Sequence, residues 1–341
     1  MNPEWFLMRS MNQEKTKILT DILEPRVSIN WQNSTEYRSS IAGGKGFWSD
    51  FVASFCLFYY SFQYDIAIVV SSRKGNLFSI LMGLLPCFRK PVLMIDCLWY
   101  IPEGKLHRAV KHLQMKLMAR GVSLFIVWAS HEVNDYSKAF GLPPEKFMYI
   151  PHHHTLEGYN YEVHDGDYIF SGGDGNRDYS TLLEAVRDLD VPVVIATRRK
   201  DWHSGASIPT NVNAFPTTPE EFRKLMAGSR MVVIPMEGGH LHSGGQQTIL
   251  NAMALGKPVI VADERGAKDY ITDGVDGLIV PTSDSVALRD AIKKVLNDPI
   301  MEQEFKENAR KTGRSYSTPG CLENILCVAN KIVQCGDIRR C

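Results

Sequence analysis

Two glycine-rich turns in the second half of the chain have the composition and spacing to hold an anion. Met231-Val-Val-Ile-Pro235 reads as a strand, His242-Ser-Gly-Gly-Gln246 as a tight turn and Gln247 to Leu255 as a helix, before Gly256-Lys-Pro-Val-Ile-Val261 starts a second strand. This order sets a helix N-terminus, with its unpaired N–H groups and partial positive charge, just beyond the C-terminal end of a strand. Gly244 and Gly245 let the backbone turn tightly and approach a phosphate, and Ser243, Gln246 and Thr248 complete the donor set of the turn. Such turns also occur in doubly wound sheets purely for topology, so both roles stay open here.

The second turn is Ser171-Gly-Gly-Asp-Gly-Asn-Arg-Asp-Tyr179, another strand-glycine-helix junction. Gly172 and Gly173 would stand beside the first turn, and the pair would form one pocket for a diphosphate. Arg177 suits that ligand because a planar guanidinium contacts two oxygens at once. Its alternative is a surface ion pair with Asp174 or Asp178. Arg198, in Arg198-Arg-Lys200 after the next strand, is a second candidate.

An acid or base is needed to complete group-transfer chemistry. Asp96 directly follows Val92-Leu-Met-Ile95 and so lies at the C-terminal end of a strand, where open α/β sheets place their ligands. It is the candidate base, with helix capping or an arginine pair as its alternative. His131, within Ser130-His-Glu132 after the next strand, is a second candidate, set against simple hydrogen bonding. Histidines 152 to 154 lie in a polar connector, with no carboxylate spaced to share a metal, and are expected to serve as hinge or hydrogen-bonding residues. Gly43-Gly-Lys-Gly46 lacks the spacing and the trailing hydroxyl of an ATP loop.

The elements that must position these residues alternate. Phe51 to Phe62 is expected to form a buried helix, 66–70 a strand, 77–85 a helix, 91–95 a strand, 105–120 a long basic helix and 124–127 a strand. A second alternating series starts at Tyr168. This pattern calls for parallel sheets with helices on both faces. The expected divisions are residues 1–155, 165–312 and a C-terminal helical segment, 313–341, with a break at Ser317-Thr-Pro-Gly320. Residues 1–26 show no clean period and are taken as partly ordered decoration.

At 341 residues the chain suits two domains, and 44% hydrophobic with 22% charged residues is a globular balance. Thirty-eight basic and 38 acidic residues cancel, which gives no argument for nucleic acid as a partner. Seven cysteines without close pairs, and no secretory signal pattern at the start, point to a reducing cytoplasm. No run approaches the ~18 apolar residues that span a bilayer. The segment 105–120 carries Lys105, Arg108, Lys111, Lys116 and Arg120 without an acid, interleaved with Leu106, Val110 and Leu113. It is either a contact for the anionic inner face of a membrane or an ordinary amphipathic helix.

Ala252-Met-Ala-Leu-Gly-Lys-Pro-Val-Ile260, Asp273-Gly-Val-Asp-Gly-Leu-Ile-Val-Pro281 and Ala287-Leu-Arg-Asp-Ala-Ile292 resemble the C-terminal half of GT-B glycosyltransferases of family 4, also called group 1. The resemblance covers about residues 165 to 300. It implies an α/β GT-B architecture of two Rossmann-like domains, doubly wound on parallel sheets and facing across a cleft. It further implies a nucleotide-diphosphate sugar, UDP- or GDP-linked, on the second domain and a glycan or lipid-linked glycan acceptor on the first. The C-terminal helix would cross back to the first domain. No separate cofactor or metal is implied. Arg177 approximately matches a basic residue that contacts the donor diphosphate in that family.

The family's two glutamates, seven residues apart, fall here on Ser243 and Asn251. Asn251 could still bond ribose hydroxyls, and Glu237 could substitute for the first acid. The departure leaves two rivals to a transferase: a nucleotide-sugar epimerase of the same fold, and a GT-B protein that binds without catalysing.

Overall fold

The computed structural model describes residues 16–22, 28–42, 46–85, 90–262 and 265–335. The first sheet is built from β1 (Ile18–Thr20), α1 (Ile29–Ser34), β2 (Thr35–Glu36), α2 (Phe47–Ser61), β3 (Ile66–Val70), α3 (Arg73–Leu84), β4 (Val92–Ile95), α4 (Lys105–Gly121), β5 (Leu124–Val127), α5 (Glu132–Phe140) and β6 (Phe147–Tyr149). Its six strands are all parallel, in the order β2-β1-β3-β4-β5-β6.

A connector leads to the second sheet, made of β7 (Ile169–Gly172), α6 (Tyr179–Val186), β8 (Val193–Ala196), β9 (Val212–Phe215), α7 (Pro219–Ala227), β10 (Met231–Pro235), α8 (Gln246–Ala254), β11 (Val259–Ala262) and β12 (Leu278–Val280). The order is β12-β11-β10-β7-β8-β9, again all parallel. The chain ends in α9 (Ser285–Asn297), α10 (Pro299–Ser315) and α11 (Thr318–Cys335). Strand order in the second sheet reverses between β7 and β10. Both glycine turns leave from these two adjacent strands, at the point where doubly wound sheets open a crevice.

The strands are covered on both faces, so their sequences are runs of Val, Ile and Leu. In the first sheet Val69, Met94, Phe125 and Val127 face the layer of α2 to α5, and Ile66, Ile68, Leu93 and Ile126 face the other side. That other side is covered by Trp31 of α1 and by Leu322, Ile325, Leu326, Ala329 and Ile332 of α11. The last helix therefore completes the core of the first sheet, and each large aliphatic side chain so buried contributes about 1.5–3 kcal/mol. Connector residue Glu157 fastens the start of α11, accepting from Thr318 N at 2.6 Å and Thr318 Oγ1 at 2.8 Å. Burial alone would raise the pKa of Glu157, but its bonds to His154 and Thr318 prevail and hold it down at about 2.

Three expectations need correction. Residues 18–20 are a strand of the sheet, with Leu19 fully buried beside β3, because three residues are too few to show a period. The helical break expected at Ser317–Gly320 is present but shorter and earlier: α10 ends at Ser315 and Thr318 already begins α11, with Pro319 in the first turn, where its missing N–H costs nothing. The aromatic helix is not buried. It starts at Phe47, and Trp48 (75% exposed), Val52, Phe55 and Tyr59 (65%) face outward while Ala53 and Leu57 face the sheet. Of the glycine loop at 43–46, only Gly46 lies within the described residues.

Shortening Ile325 to alanine should leave a cavity between α11 and the first sheet and cost about 2–5 kcal/mol. Since only Tyr316 and Ser317 separate α11 from α10 of the second half, calorimetry should show the whole chain melting earlier; an unchanged first-sheet transition would contradict the packing.

Candidate functional site

Helix α8 begins at Gln246 with Gly245 as its cap residue at φ 87°, and no side chain caps its first turn. The left-handed conformation at Gly245 is why glycine is needed there, and an added Cβ would also stand 3.2 Å from Met236 Sδ. Gln246 folds back, its Nε2 donating to Ser243 O at 2.7 Å, which tightens the turn. At the neighbouring exit Gly173 has φ 120°, and a Cβ on Gly172 would meet the Phe222 ring at 2.4 Å.

The two exits are joined. Asp178 N donates to Pro235 O at 3.0 Å and Glu237 N to Asn176 O at 3.0 Å. Arg177 lies between them, buried at 5% exposure: Nε donates to Gly172 O at 3.0 Å, Nη1 to Gly175 O at 2.9 Å and Nη2 to Thr248 Oγ1 at 3.3 Å. The sequence suggested a guanidinium reaching into an open pocket. The structure shows one turned inward, a positive charge fastening both turns from behind, because the adjacent carbonyls of the first turn are its nearest acceptors. The alternative ion pair is taken by another residue: Asp174 binds Arg198, with Nη2–Oδ2 at 2.6 Å and Arg198 N donating at 2.8 Å.

A cavity of about 340 Å³ opens here, lined in part by Gly173, Arg198, Thr248, Asn251 and Phe222. Asn251 is 4% exposed, and its amide oxygen accepts from the backbone N–H of Thr155 in the connector at 2.8 Å. A smaller recess of about 110 Å³ is lined by Ser243, Gly244, His242, His131, Asn176 and Glu237 among others. The candidate donor residues thus divide between two adjoining spaces on either side of the α8 N-terminus. His131 Nδ1 sits 3.0 Å from Asp135 Oδ2, and Glu237 lies 3.1 Å from His240 Nε2.

Across the cleft, Asp96 ends β4 in a left-handed conformation, φ 53°, that non-glycine residues seldom adopt. Trp128 Nε1 donates to its Oδ1 at 2.8 Å. Burial raises the Asp96 carboxyl above the usual range, against the Trp128 bond and the charges of His153 and His242. A carboxylate of raised basicity at a strand end is suited to accept a proton. His152 stacks on Trp128 with centroids 4.8 Å apart, and burial pushes it down to about 3. The histidines of the connector make the hydrogen bonds of a joint: His153 Nδ1 lies 2.8 Å from both His154 O and Thr318 Oγ1.

The strongest cross-cleft contact is one that sequence reasoning passed over. In Ser130-His-Glu132 the histidine drew the attention, yet Glu132 is fully buried at the interface. Its Oε2 accepts from Trp128 N and Ala129 N, both at 3.1 Å. Its Oε1 accepts from Ser243 N at 2.9 Å and lies 2.7 Å from His242 Nδ1. Ser130 N and Oγ both donate to Asp269 at 2.7 Å, and Tyr270 Oη donates to Trp128 O. The only sequence signal was the position of Glu132 after a strand and of His242 before the glycine turn.

Residues 176–312 match the family described as Glycosyl transferases group 1. A UDP-glycosyltransferase 2 of Phaeomoniella chlamydospora is 29% identical over 171 residues, 46% of this chain and 34% of that protein. A poly(glycerol-phosphate) alpha-glucosyltransferase of Bacillus subtilis (strain 168) is 30% identical over 86 residues, 25% of this chain and 13% of the relative. The matched region thus spans about a third or less of these relatives' own length. Among solved structures, Anabaena HepE in complex with UDP and glucose aligns with a TM-score of 0.67 at 14% identity, over 93% of this chain and 100% of that one. Sucrose-phosphate synthase of Thermosynechococcus elongatus aligns at 0.66 and 14% identity, over 87% and 83%. The two six-stranded parallel sheets with flanking helices are the GT-B architecture, and the resemblance to family 4, or group 1, extends to the sequence of the second half.

Arg177→Ala should leave the carbonyls of Gly172 and Gly175 without their buried donor and cost about 2–3 kcal/mol by denaturant unfolding. Loss of stability below ~0.5 kcal/mol would show that the guanidinium does not fasten the turns.

Proposed function

We propose, from the group 1 glycosyltransferase resemblance of its second half, that this chain transfers a sugar from a nucleotide-diphosphate donor to a hydroxyl of a glycan or lipid-linked glycan. The observation that carries this reading is the pair of glycine exits on β7 and β10, fastened by Arg177, with the 340 Å³ cavity on the side of Gly173 and Thr248 and the 110 Å³ recess on the side of Ser243 and Gly244. The nucleoside would occupy that cavity, against Thr197, Arg198 and Phe222, with the diphosphate at the α8 N-terminus. The neighbour HepE is described with UDP and glucose, which supports a UDP-linked donor over a GDP-linked one.

As the anomeric carbon leaves the diphosphate, negative charge grows on the leaving oxygen beside unpaired N–H groups and the buried Arg177 charge. Asp96 would take the proton of the acceptor hydroxyl. The two functions come from opposite sheets, so transfer requires the closed cleft. Absence of the family's paired glutamates favours one rival, a protein that binds the donor without turning it over.

Thermal-shift screening against UDP-, GDP-, ADP- and CMP-sugars should give stabilisation with UDP-sugars, lost in Gly245→Val. No response to any nucleotide sugar would remove the reading. Asp96→Asn should keep donor binding and lose at least ~100-fold in transfer rate; binding without turnover in the parent chain across a broad acceptor panel would favour the binder.

We also propose that the acceptor side rests on an anionic membrane. No helix among the described residues is long and apolar enough to cross one. On α4, Lys105, Arg108, Lys116 and Arg120 are exposed together with Leu106, Val110 and Leu113, and α2, in the same layer, exposes Trp48, Val52, Phe55 and Tyr59. Exposed cations and aromatics on helices of one layer suit an interfacial surface. The full chain should co-sediment with phosphatidylserine vesicles, and Trp48→Ser with Lys105→Glu should weaken this at least ~10-fold; equal binding to neutral vesicles would argue against the charge contribution.

A further inference from the structure

Glu132 and His242 together have a feature that a mere tie between domains does not need. A fully buried carboxylate is costly unless fixed donors and a counter-charge surround it. Glu132 has three backbone N–H donors and one imidazole, and the imidazole and one of the N–H groups belong to the phosphate turn of the opposite sheet. The imidazole uses only Nδ1 for this bond. Its other nitrogen, Nε2, makes no hydrogen bond among the described residues, and the side chain keeps 20% of its surface in the recess beside Ser243 and Gly244.

A carboxylate at Nδ1 fixes the orientation of an imidazole and leaves Nε2 to act on whatever lies in front of it. The position of His242 in the chain decides what that is. It stands three residues before Gly245, the cap of α8, so a group bound at that helix N-terminus lies at the turn that His242 opens. The geometry points the same way: a doubly protonated ring donates from both nitrogens, to Glu132 through Nδ1 and to an anion held by the turn through Nε2.

We infer that His242 contacts the terminal phosphate of the donor's diphosphate through Nε2–H, and that Glu132, from the other domain, is its positioning residue. This rests on the glycosyltransferase reading. When the bond between the anomeric carbon and the β-phosphate oxygen breaks, its electron pair stays on that oxygen, and the His242 N–H hydrogen-bonds the charge that forms there. No proton need be transferred. The donor site is then complete only with the cleft closed, since the group that orients His242 belongs to the first domain. This also gives the chain a carboxylate next to Ser243, where its own sequence has none.

The test separates a phosphate contact from a structural tie by using UDP and UMP, which differ in the β-phosphate alone. In His242→Asn the amide Nδ2 can replace Nδ1 as donor to Glu132, so the tie survives while the second ring nitrogen is gone. Glu132→Gln keeps the shape and removes the charge. Titration calorimetry on the full chain should show UDP binding weakened about 10-fold or more in both variants, with UMP binding within twofold of the parent chain. Equal weakening of UDP and UMP, or UDP binding unchanged in His242→Asn, overturns the inference while leaving the transferase reading intact. A parent chain that binds neither UDP nor any other nucleoside diphosphate overturns both.

Discussion

Where the two parallel sheets face each other, one carboxylate has no water to solvate it, and that condition governs the geometry of the cleft. Glu132 is satisfied only when the segment after β5 and the turn after β10 are both in place, because its donors come from both. Ionised groups buried in protein cost several kcal/mol unless their partners are fixed. The contact therefore works as a registration device. Once Ser243 N and His242 are placed against Glu132, the N-terminus of α8 is aimed at the first sheet, and the Asp269 and Tyr270 contacts to Ser130 and Trp128 follow along the same edge.

Behind that edge the donor turns are held by a second buried charge of opposite sign. Arg177 gathers the carbonyls of one turn and the hydroxyl of Thr248 in the other, so the two glycine exits behave as one unit. Burial lowers the pKa of its guanidinium, yet arginine remains charged in proteins. The two buried charges hold the turn from both ends, Glu132 at Ser243 N and Arg177 at Thr248 of α8. Lys257, fully buried with its Nζ donating to His164 O and Ser229 O, fastens the connector to the second sheet in a comparable way. Burial lowers it to about 8.

Much of this was legible before any coordinates. The runs 66–70, 92–95 and 231–235 are continuous β-branched and aliphatic residues, and only strands covered on both faces need that composition. The glycine turns were legible for a different reason: a positive φ at Gly245 and Gly173 excludes most other residues, so the backbone requirement is written in the residue type. The position of Asp96 directly after a strand was legible in the same way, since β4 ends at Ile95. Less was legible where the outcome depended on partners remote in sequence. Phe47 to Tyr59 reads as apolar whether it faces a core or solvent, and the three residues of β1 are recognisable only by the sheet they join.

The sequence by itself determined the alternation of strands and helices, the two turns and the family resemblance, because each follows from local periodicity or from a residue's own conformational limits. Tertiary structure alone decided that Arg177 points inward, that Asn251 bonds the connector at Thr155, and that Glu132 outweighs its neighbour His131. The physical reason is that the direction of a charged side chain depends on which donors and acceptors folding brings within about 3 Å of it. Glu132 and His242 are 110 residues apart in the chain, and no local pattern connects them.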